Sequence, residues 1–171
     1  VYARSNSSRL SGKAMMSLCG KPVIEHVLDT AERFNFQTIF TTSDLPEDDE
    51  LATFVESKGF PVFRGSHYNV ALRLAGAVSK FDADYLLRFT GDSIFVFPDY
   101  LMSAKIPIDM DYVTVKTSYI GGHLELISPR ALRYISKYAK HEESTEYLSW
   151  YLEGDVFESQ NFVKAENIDI P

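Results

Sequence analysis

The sequence lacks the features that define several common classes of protein. It has a single cysteine, Cys19, which excludes a disulfide within the chain and agrees with a reducing compartment. No apolar run is long enough to cross a bilayer, and no signal peptide is visible. Lysine and arginine total 17 against 24 acidic residues, so the formal net charge is -7 and no extended basic face appears. We therefore expect a cytoplasmic protein with no membrane span and no nucleic-acid partner.

The familiar glycine motifs of nucleotide-binding proteins are also missing. No G-x-G-x-x-G occurs, and Gly12-Lys13 lacks the spaced glycine and the following Ser or Thr of a P-loop. These absences argue against a dinucleotide-dependent oxidoreductase and against a P-loop NTPase. No Cys/His spacing indicates a zinc site.

Positive charge is concentrated near the start of the chain. Arg4, Arg9, Lys13 and Lys21 fall close together, separated by small residues, between a strand-like start and a helical pattern. Clustered cations and accessible backbone N–H groups in such a loop are suited to phosphates, and Arg9 and Lys13 could neutralise a triphosphate. The alternative is a solvated surface loop, and composition alone does not decide between the two.

Strand and helix patterns alternate along the 171 residues, which suits one domain with its own core. The chain starts inside a predicted strand and stops at Ile170-Pro171, so we expect residues to be missing at both ends. Alternation of this kind predicts an α/β fold with a mainly parallel sheet and helices on both faces. The predicted strands are 1–3, 38–42, 61–63, 85–89, 111–116 and 123–127; the predicted helices are 22–31, 46–58, 69–79, 98–104, 129–138 and 143–152.

Polar residues follow several of these strands, and ligands of parallel sheets bind beyond the carboxyl ends of the strands. Thr90-Gly91-Asp92 offers a carboxylate for Mg²⁺, although a turn aspartate is the commoner role. Thr42-Ser43-Asp44 could bind a ribose or a base edge, or could simply begin a turn. Arg64 adds a cation at a strand end, and Arg88 interrupts an apolar strand, where a buried arginine needs an anionic partner.

Taken together, these segments resemble the cytidylyltransferases of the nucleoside-diphosphosugar transferase-like group, especially the spore coat polysaccharide biosynthesis protein F family and its acylneuraminate relatives. The similarity runs through roughly the whole chain in order and spacing, which makes the combination specific. The matching segments are 3–13, 20–27, 42–50, 62–66, 88–92 and 168–171.

The resemblance implies a three-layer, Rossmann-like sandwich of the GT-A type, and transfer of CMP from CTP to a sugar or sugar acid. It implies Mg²⁺ as cofactor, with Asp92 and Asp169 as metal ligands, and Arg9, Lys13 and Asp92 as catalytic residues. His123 and Glu125 are assigned to the acceptor side. The implied nucleotide-binding residues are Ala3, Arg4, Ser5, Arg9, Leu10, Gly12, Lys13, Lys21, Ser43, Asp44, Arg64, Arg88, Thr90 and Gly91.

The chain departs from the family pattern at four places, most of them on the acceptor side. Ser11 stands where the family usually has proline, and Tyr68-Asn69 replaces an acidic pair. The segment 94–97 lacks the usual late aspartate, and 141–147 lacks the family's Arg, His and Pro. The acceptor is therefore not identified by the sequence.

The first hypothesis is accordingly a cytidylyltransferase that acts in surface polysaccharide biosynthesis. A nucleotide-binding module without catalysis and a GT-A glycosyltransferase are the alternatives. The glycosyltransferase is disfavoured because the Asp-x-Asp spacing of Asp109-Met110-Asp111 precedes a strand instead of following one. Related enzymes are often dimers, and the aromatic segment around Trp150 is the expected contact surface of a homodimer.

Overall fold

In a computed structural model of the chain, the residues described are 1–6, 10–97, 109–115, 124–138, 148–152 and 164–165. Among them, no helix is long and apolar enough to cross a membrane. Strands and helices alternate, which confirms the α/β class. The strands are β1 (Ser17–Leu18), β2 (Lys21–Pro22), β3 (Phe40–Ser43), β4 (Val62–Gly65), β5 (Leu86–Arg88), β6 (Tyr112–Val115), β7 (Leu124–Ile127) and β8 (Lys164–Ala165); the helices are α1 (Val23–Glu32), α2 (Asp49–Ser57), α3 (Val70–Lys80), α4 (Pro129–Tyr138) and α5 (Ser149–Leu152).

The first residues of the chain connect two groups of strands. Tyr2 forms parallel bridges with Thr41 on one side and Thr90 on the other. β3 pairs with β4 in parallel, while β5, β7, β6 and β8 lie side by side in that order. β7 is antiparallel to both of its neighbours, and β8 is parallel to β6. The strands joined through Tyr2 therefore run in one direction except β7, whose reversal the sequence did not predict.

Apolar residues at helical spacing explain the first long helix. Ile24, Val27, Leu28 and Ala31 are all buried and face one side of α1. The helix begins at Val23 and not at Pro22, because Pro22 pairs with Ser17 in the small hairpin of β1 and β2. This hairpin was not predicted, and it places a two-residue turn between the opening loop and α1.

Two apolar clusters lie against the strands. Val113 belongs to the cluster that contains the buried residues of α1 and α2, and Tyr112 belongs to the cluster that contains those of α3 and α4. Neighbouring residues of a strand point to opposite faces of its sheet, so helices cover both faces of β6. The predicted helix 98–104 and residues 143–147 of the predicted helix 143–152 lie outside the described residues, and the described end of the latter contains α5.

Candidate functional site

The opening loop leaves the sheet from residues 1–3, which form backbone hydrogen bonds to both neighbouring segments instead of the full strand predicted there. The Tyr2 N–H donates to the Phe89 carbonyl at 3.0 Å, and the Ala3 N–H donates to the Thr41 carbonyl at 3.2 Å. The loop closes where the Gly12 N–H donates to the Ser5 carbonyl at 2.7 Å. Gly12 has a φ of 71°, a conformation that side chains with a Cβ rarely adopt. The backbone therefore fixes both ends of the loop that carries Arg4 and Lys13.

Asp48 holds this loop through Ser5, a role that the sequence does not indicate. Its carboxylate accepts hydrogen bonds from the Ser5 N–H at 2.6 Å and the Ser43 N–H at 3.2 Å, and also from the Ser43 hydroxyl. Only 2% of Asp48 is exposed. Burial alone would raise the pKa of this carboxyl group, but the bonds from Ser43 and Ser5 lower it below its usual value. In the sequence, Asp48 looked like one residue of an acidic helix start.

Lys13 meets Asp92 although 79 positions separate them. The Lys13 ammonium donates to one oxygen of Asp92 at 2.6 Å, and the Thr90 hydroxyl donates to the other at 2.5 Å. Burial raises the pKa of Asp92, but the Lys13 and Thr90 hydrogen bonds outweigh it and lower the pKa overall. The opening loop and the turn after β5 thus form one polar site at the edge of the sheet.

Gly91 allows this close approach of the two segments. A Cβ added at Gly91 would lie 2.6 Å from the Ala3 Cβ and 3.4 Å from the Tyr2 carbonyl oxygen. The Cβ atoms of two residues distant in sequence do not come this close in folded proteins. The glycine is therefore required because two backbones pack against each other there.

The loops after β3 and β4 are tied together by Arg64. Its guanidinium donates to the Ser43 carbonyl at 2.9 Å and to the Leu45 carbonyl at 2.7 Å, and it pairs with Asp49 at 2.5 Å. Through these contacts the Arg64 guanidinium holds the loop after β3 in place, and its donors are used by groups of the chain itself. Asp44 is exposed beside this loop, and its N–H donates to the Gly65 carbonyl at 2.9 Å.

Arg88 and Glu125 bind each other inside the sheet. They are register partners on β5 and β7, their side chains are 9% and 6% exposed, and Arg88 also donates to the Tyr2 hydroxyl. The Tyr112 hydroxyl donates to Glu125 at 2.7 Å. Burial lowers the pKa of Arg88, but attraction to Tyr2 and Glu125 raises it overall. The anionic partner expected for Arg88 is present, and these contacts favour structural roles over the nucleotide and acceptor roles predicted for the pair.

The remaining predicted residues divide into three groups. Arg4 donates to the carbonyl of His67, a residue of the loop after β4, at 3.2 Å. Leu10 is exposed in the opening loop. Lys21 pairs with Asp29 on the surface of α1 at 2.9 Å, so its charge is engaged away from the loop. Arg9, His123 and Asp169 lie outside the described residues.

The described residues contain no group of three His, Cys, Asp or Glu side chains that could hold a metal ion. Asp92 nevertheless brings a carboxylate together with the hydroxyls of Thr90 and Ser93, which lie 2.8 Å apart. This donor set fits Mg²⁺, which takes one or two carboxylates and completes its shell with phosphate oxygens and water.

Cations and a carboxylate meet at the carboxyl ends of the strands of an α/β sheet, which is the arrangement expected of a nucleotidyltransferase. A family model described as cytidylyltransferase matches residues 1–151. The chain belongs to the cytidylyltransferase family.

Relatives and solved structures agree with this membership. Spore coat polysaccharide biosynthesis protein SpsF of Bacillus subtilis is 26% identical over 162 residues, covering 89% of this chain and 68% of that protein. The 3-deoxy-manno-octulosonate cytidylyltransferase of Colwellia psychrerythraea is 33% identical over 104 residues, covering 58% of this chain and 36% of that protein.

Three solved structures share the fold at low sequence identity. A cytidylyltransferase from Leptospira borgpetersenii has a TM-score of 0.81 at 21% identity, covering 98% of this chain and 74% of that one. CMP:2-keto-3-deoxy-manno-octonic acid synthetase complexed with CTP has a TM-score of 0.69 at 18% identity, covering 96% and 87%. Rv0371C of Mycobacterium tuberculosis complexed with manganese has a TM-score of 0.60 at 16% identity, covering 96% and 84%.

Proposed function

We propose that the protein transfers CMP from CTP to a hydroxyl group of a sugar or sugar acid and releases pyrophosphate, in the synthesis of a surface polysaccharide. The contact between Lys13 and Asp92 carries this proposal, because it joins the two segments that such a reaction needs. One segment supplies cations for a triphosphate, and the other supplies a carboxylate for a metal ion. The names of the relatives suggest cytidine and a sugar-acid acceptor.

In this reaction the acceptor oxygen attacks the α-phosphorus of CTP in line with the bond to the β-phosphate. That bond breaks, pyrophosphate leaves with the electron pair, and the acceptor proton passes to solvent. Arg4 and Lys13 hold the phosphates, together with Arg9 of the same loop. Ala3, Ser5, Leu10 and Gly12 supply the backbone of this cradle, which Asp48 keeps in place. Positioning and electrostatic stabilisation supply most of the rate enhancement, so no histidine or cysteine base is required.

Mg²⁺ is the proposed cofactor, and Asp92 would hold it, with Asp169 as the second carboxylate. When bound, the metal ion neutralises charge on the phosphates and on the leaving pyrophosphate. Lys13 would then turn from Asp92 to the phosphates, a change favoured by the partial exposure of both side chains, 34% and 51%. Thr90 and Gly91 position the carboxylate. Ser43 is buried and acts through Asp48, while the exposed Asp44 would meet the ribose or base.

The proposal extends to the architecture of the whole chain. We propose one nucleotidyltransferase-like domain over residues 1–171, with the three-layer GT-A arrangement and a cytoplasmic location. Helices on both faces of β6 support the three layers. A homodimer through the region of Trp150 is part of the same proposal, and sedimentation would test it.

Pyrophosphate release is the measurement that tests the function. The protein is incubated with CTP, UTP, ATP or GTP, Mg²⁺ and a panel of sugars and sugar acids. We expect release with CTP and one acidic sugar, and loss of release in Asp92→Asn. Asp29→Asn is the matched control, because Asp29 is a surface carboxylate on α1. CTP binding without release from any acceptor would indicate a binding module, and turnover of nucleotide sugars alone would indicate a glycosyltransferase.

A further inference from the structure

Arg73 on α3 is a buried cation that has no ionic partner among the described residues. Only 1% of the residue is exposed, and within that part of the chain its guanidinium makes one hydrogen bond, from Nη1 to the Ser66 carbonyl at 2.6 Å. Its Nε and Nη2 atoms are buried and donate to no group in the described part of the chain. A buried charge left in this state is costly, so a partner for it is expected.

Burial and the neighbouring charges act on Arg73 in different directions. Burial lowers the pKa of Arg73 most and repulsion from Arg4 adds to it, so the pKa falls to about 10 although Asp48, Tyr2 and Asp44 attract the guanidinium. The carboxylate of Asp48 is already committed to Ser5 and Ser43, and Asp44 is exposed to solvent. Among the described residues, neither carboxylate accepts a hydrogen bond from Arg73.

The surrounding backbone also favours an anion. Arg73 binds Ser66 in the loop that leads into α3, an eleven-residue helix whose positive dipole end lies at this loop. His67 belongs to the same loop, contacts Arg4, and has a buried Nδ1 atom with no hydrogen-bond partner among the described residues. Two adjacent loop residues, Ser66 and His67, thus contact Arg73 and Arg4 respectively, and unpartnered polar atoms occur on both Arg73 and His67.

We propose that Arg73, Arg4 and the entry loop of α3 form an oxyanion site that takes one phosphate or carboxylate group of a ligand. A carboxylate or a phosphate group can accept two parallel hydrogen bonds from the Nε and Nη2 donors of an arginine. The site shares no residue with the contact between Lys13 and Asp92. It accepts either a phosphate of the nucleotide or an oxyanion of the second substrate, and in this respect the inference rests on the proposed function.

The Nε–H resonance of Arg73 tests the site directly, because a buried guanidinium proton exchanges slowly enough to be observed by NMR. Its assignment follows from its absence in Arg73→Met, with the exposed Arg33→Met as control. We expect the resonance to shift on titration with inorganic phosphate or acetate at constant ionic strength. At ten times the dissociation constant, phosphate should also raise the Tm by about 3 to 5 °C.

Asn69→Asp provides a second variant that does not depend on removing the arginine. Asn69 caps α3 and stands four positions before Arg73, so an aspartate there brings a carboxylate within reach of the guanidinium. We expect the resonance to be shifted already in Asn69→Asp and to respond weakly to phosphate. A resonance in the parent protein that stays unmoved by phosphate, acetate and CTP would overturn the proposal, and would leave Arg73 as a support for Ser66.

Titration with CTP identifies the source of the oxyanion. A shift with CTP that blocks any further response to phosphate assigns the site to the nucleotide. A response to acetate that persists in saturating CTP assigns it to the second substrate. The inference and the proposed function can fail separately. If phosphate shifts the Arg73 resonance but no substrate gives pyrophosphate release, the oxyanion site stands and the proposed function fails. If pyrophosphate is released but the resonance does not move, the proposed function stands and the oxyanion site fails.

Discussion

Replacing Asp48 by asparagine should detach the opening loop from the sheet and destabilise the protein. The carboxylate accepts from two backbone N–H groups and one hydroxyl, while the amide that replaces it has only one acceptor oxygen. In either orientation, the NH₂ group of the new asparagine points at the Ser5 N–H or at the Ser43 donors. At least one buried N–H or O–H group is then left unpaired. Hydrogen bonds to charged groups contribute about 1.5 to 3 kcal/mol each. We therefore expect Asp48→Asn to lower the free energy of unfolding by roughly 2 to 4 kcal/mol.

Asp49→Asn is the matched control for this experiment. The adjacent side chain is 61% exposed and pairs with Arg64, so its loss should cost less than about 1 kcal/mol. Urea unfolding followed by circular dichroism measures both variants. Asp48→Asn should also weaken CTP binding, because Ser5 loses its anchor. Equal stability of the two variants would show that Asp48 does not hold the loop.

The pH dependence gives a second check on Asp48. Its pKa is lowered in the folded protein, so the unfolded chain takes up the proton first as the pH falls. The stabilisation is fully present above the unfolded pKa of about 4 and is lost as the pH falls through the folded value. The difference in stability between the parent protein and Asp48→Asn should therefore narrow on acidification. A constant difference from pH 7 to pH 3 would contradict the assigned hydrogen bonds.

Three further substitutions test the site and its support. Lys13→Ala should weaken CTP binding by about 1.5 to 3 kcal/mol, measured by calorimetry. Lys58→Ala, which removes a surface lysine paired with Glu25, should leave CTP binding unchanged. Equal CTP affinities of the two variants would show that Lys13 does not bind the triphosphate. Gly91→Ala should destabilise the protein by about 1 to 3 kcal/mol. Adding Ala3→Gly should restore stability, because it removes the Ala3 Cβ that would lie 2.6 Å from the new methyl group. A double variant as unstable as Gly91→Ala would show that the strain arises elsewhere. Glu125→Gln should cost about 3 to 5 kcal/mol in chemical unfolding because it leaves Arg88 charged and buried; a cost under about 1 kcal/mol would show that the pair is not needed.

Much of the fold could be predicted because it depends on local patterns. The spacing of Ile24, Val27 and Leu28 predicted α1, and Asn69 before an apolar run indicated the start of α3, where it caps the helix. The reversed direction of β7 could not be predicted, because strand direction depends on the intervening chain and on pairing partners distant in sequence.

The candidate site divides in the same way. The kind of partner needed by Arg88 followed from a charge inside an apolar strand, but its identity, Glu125, follows from the register of β5 and β7. Arg64 was predicted to bind nucleotide as a cation at a strand end, and Lys21 through the resemblance to the family. Their contacts with Ser43 and Asp29 come from segments whose placement the sequence does not show.

The alternating architecture, the cations of the opening loop and the resemblance to a cytidylyltransferase could all be read from the sequence. These depend on residue type and local spacing, which determine helix faces, turns and charge. The three-dimensional packing was needed to show that Lys13 meets Asp92, that Asp48 holds the loop, and that Arg73 is buried with two donors unfilled among the described residues. Electrostatic and hydrogen-bond contacts act over a few ångströms, so their partners are set by how distant segments pack.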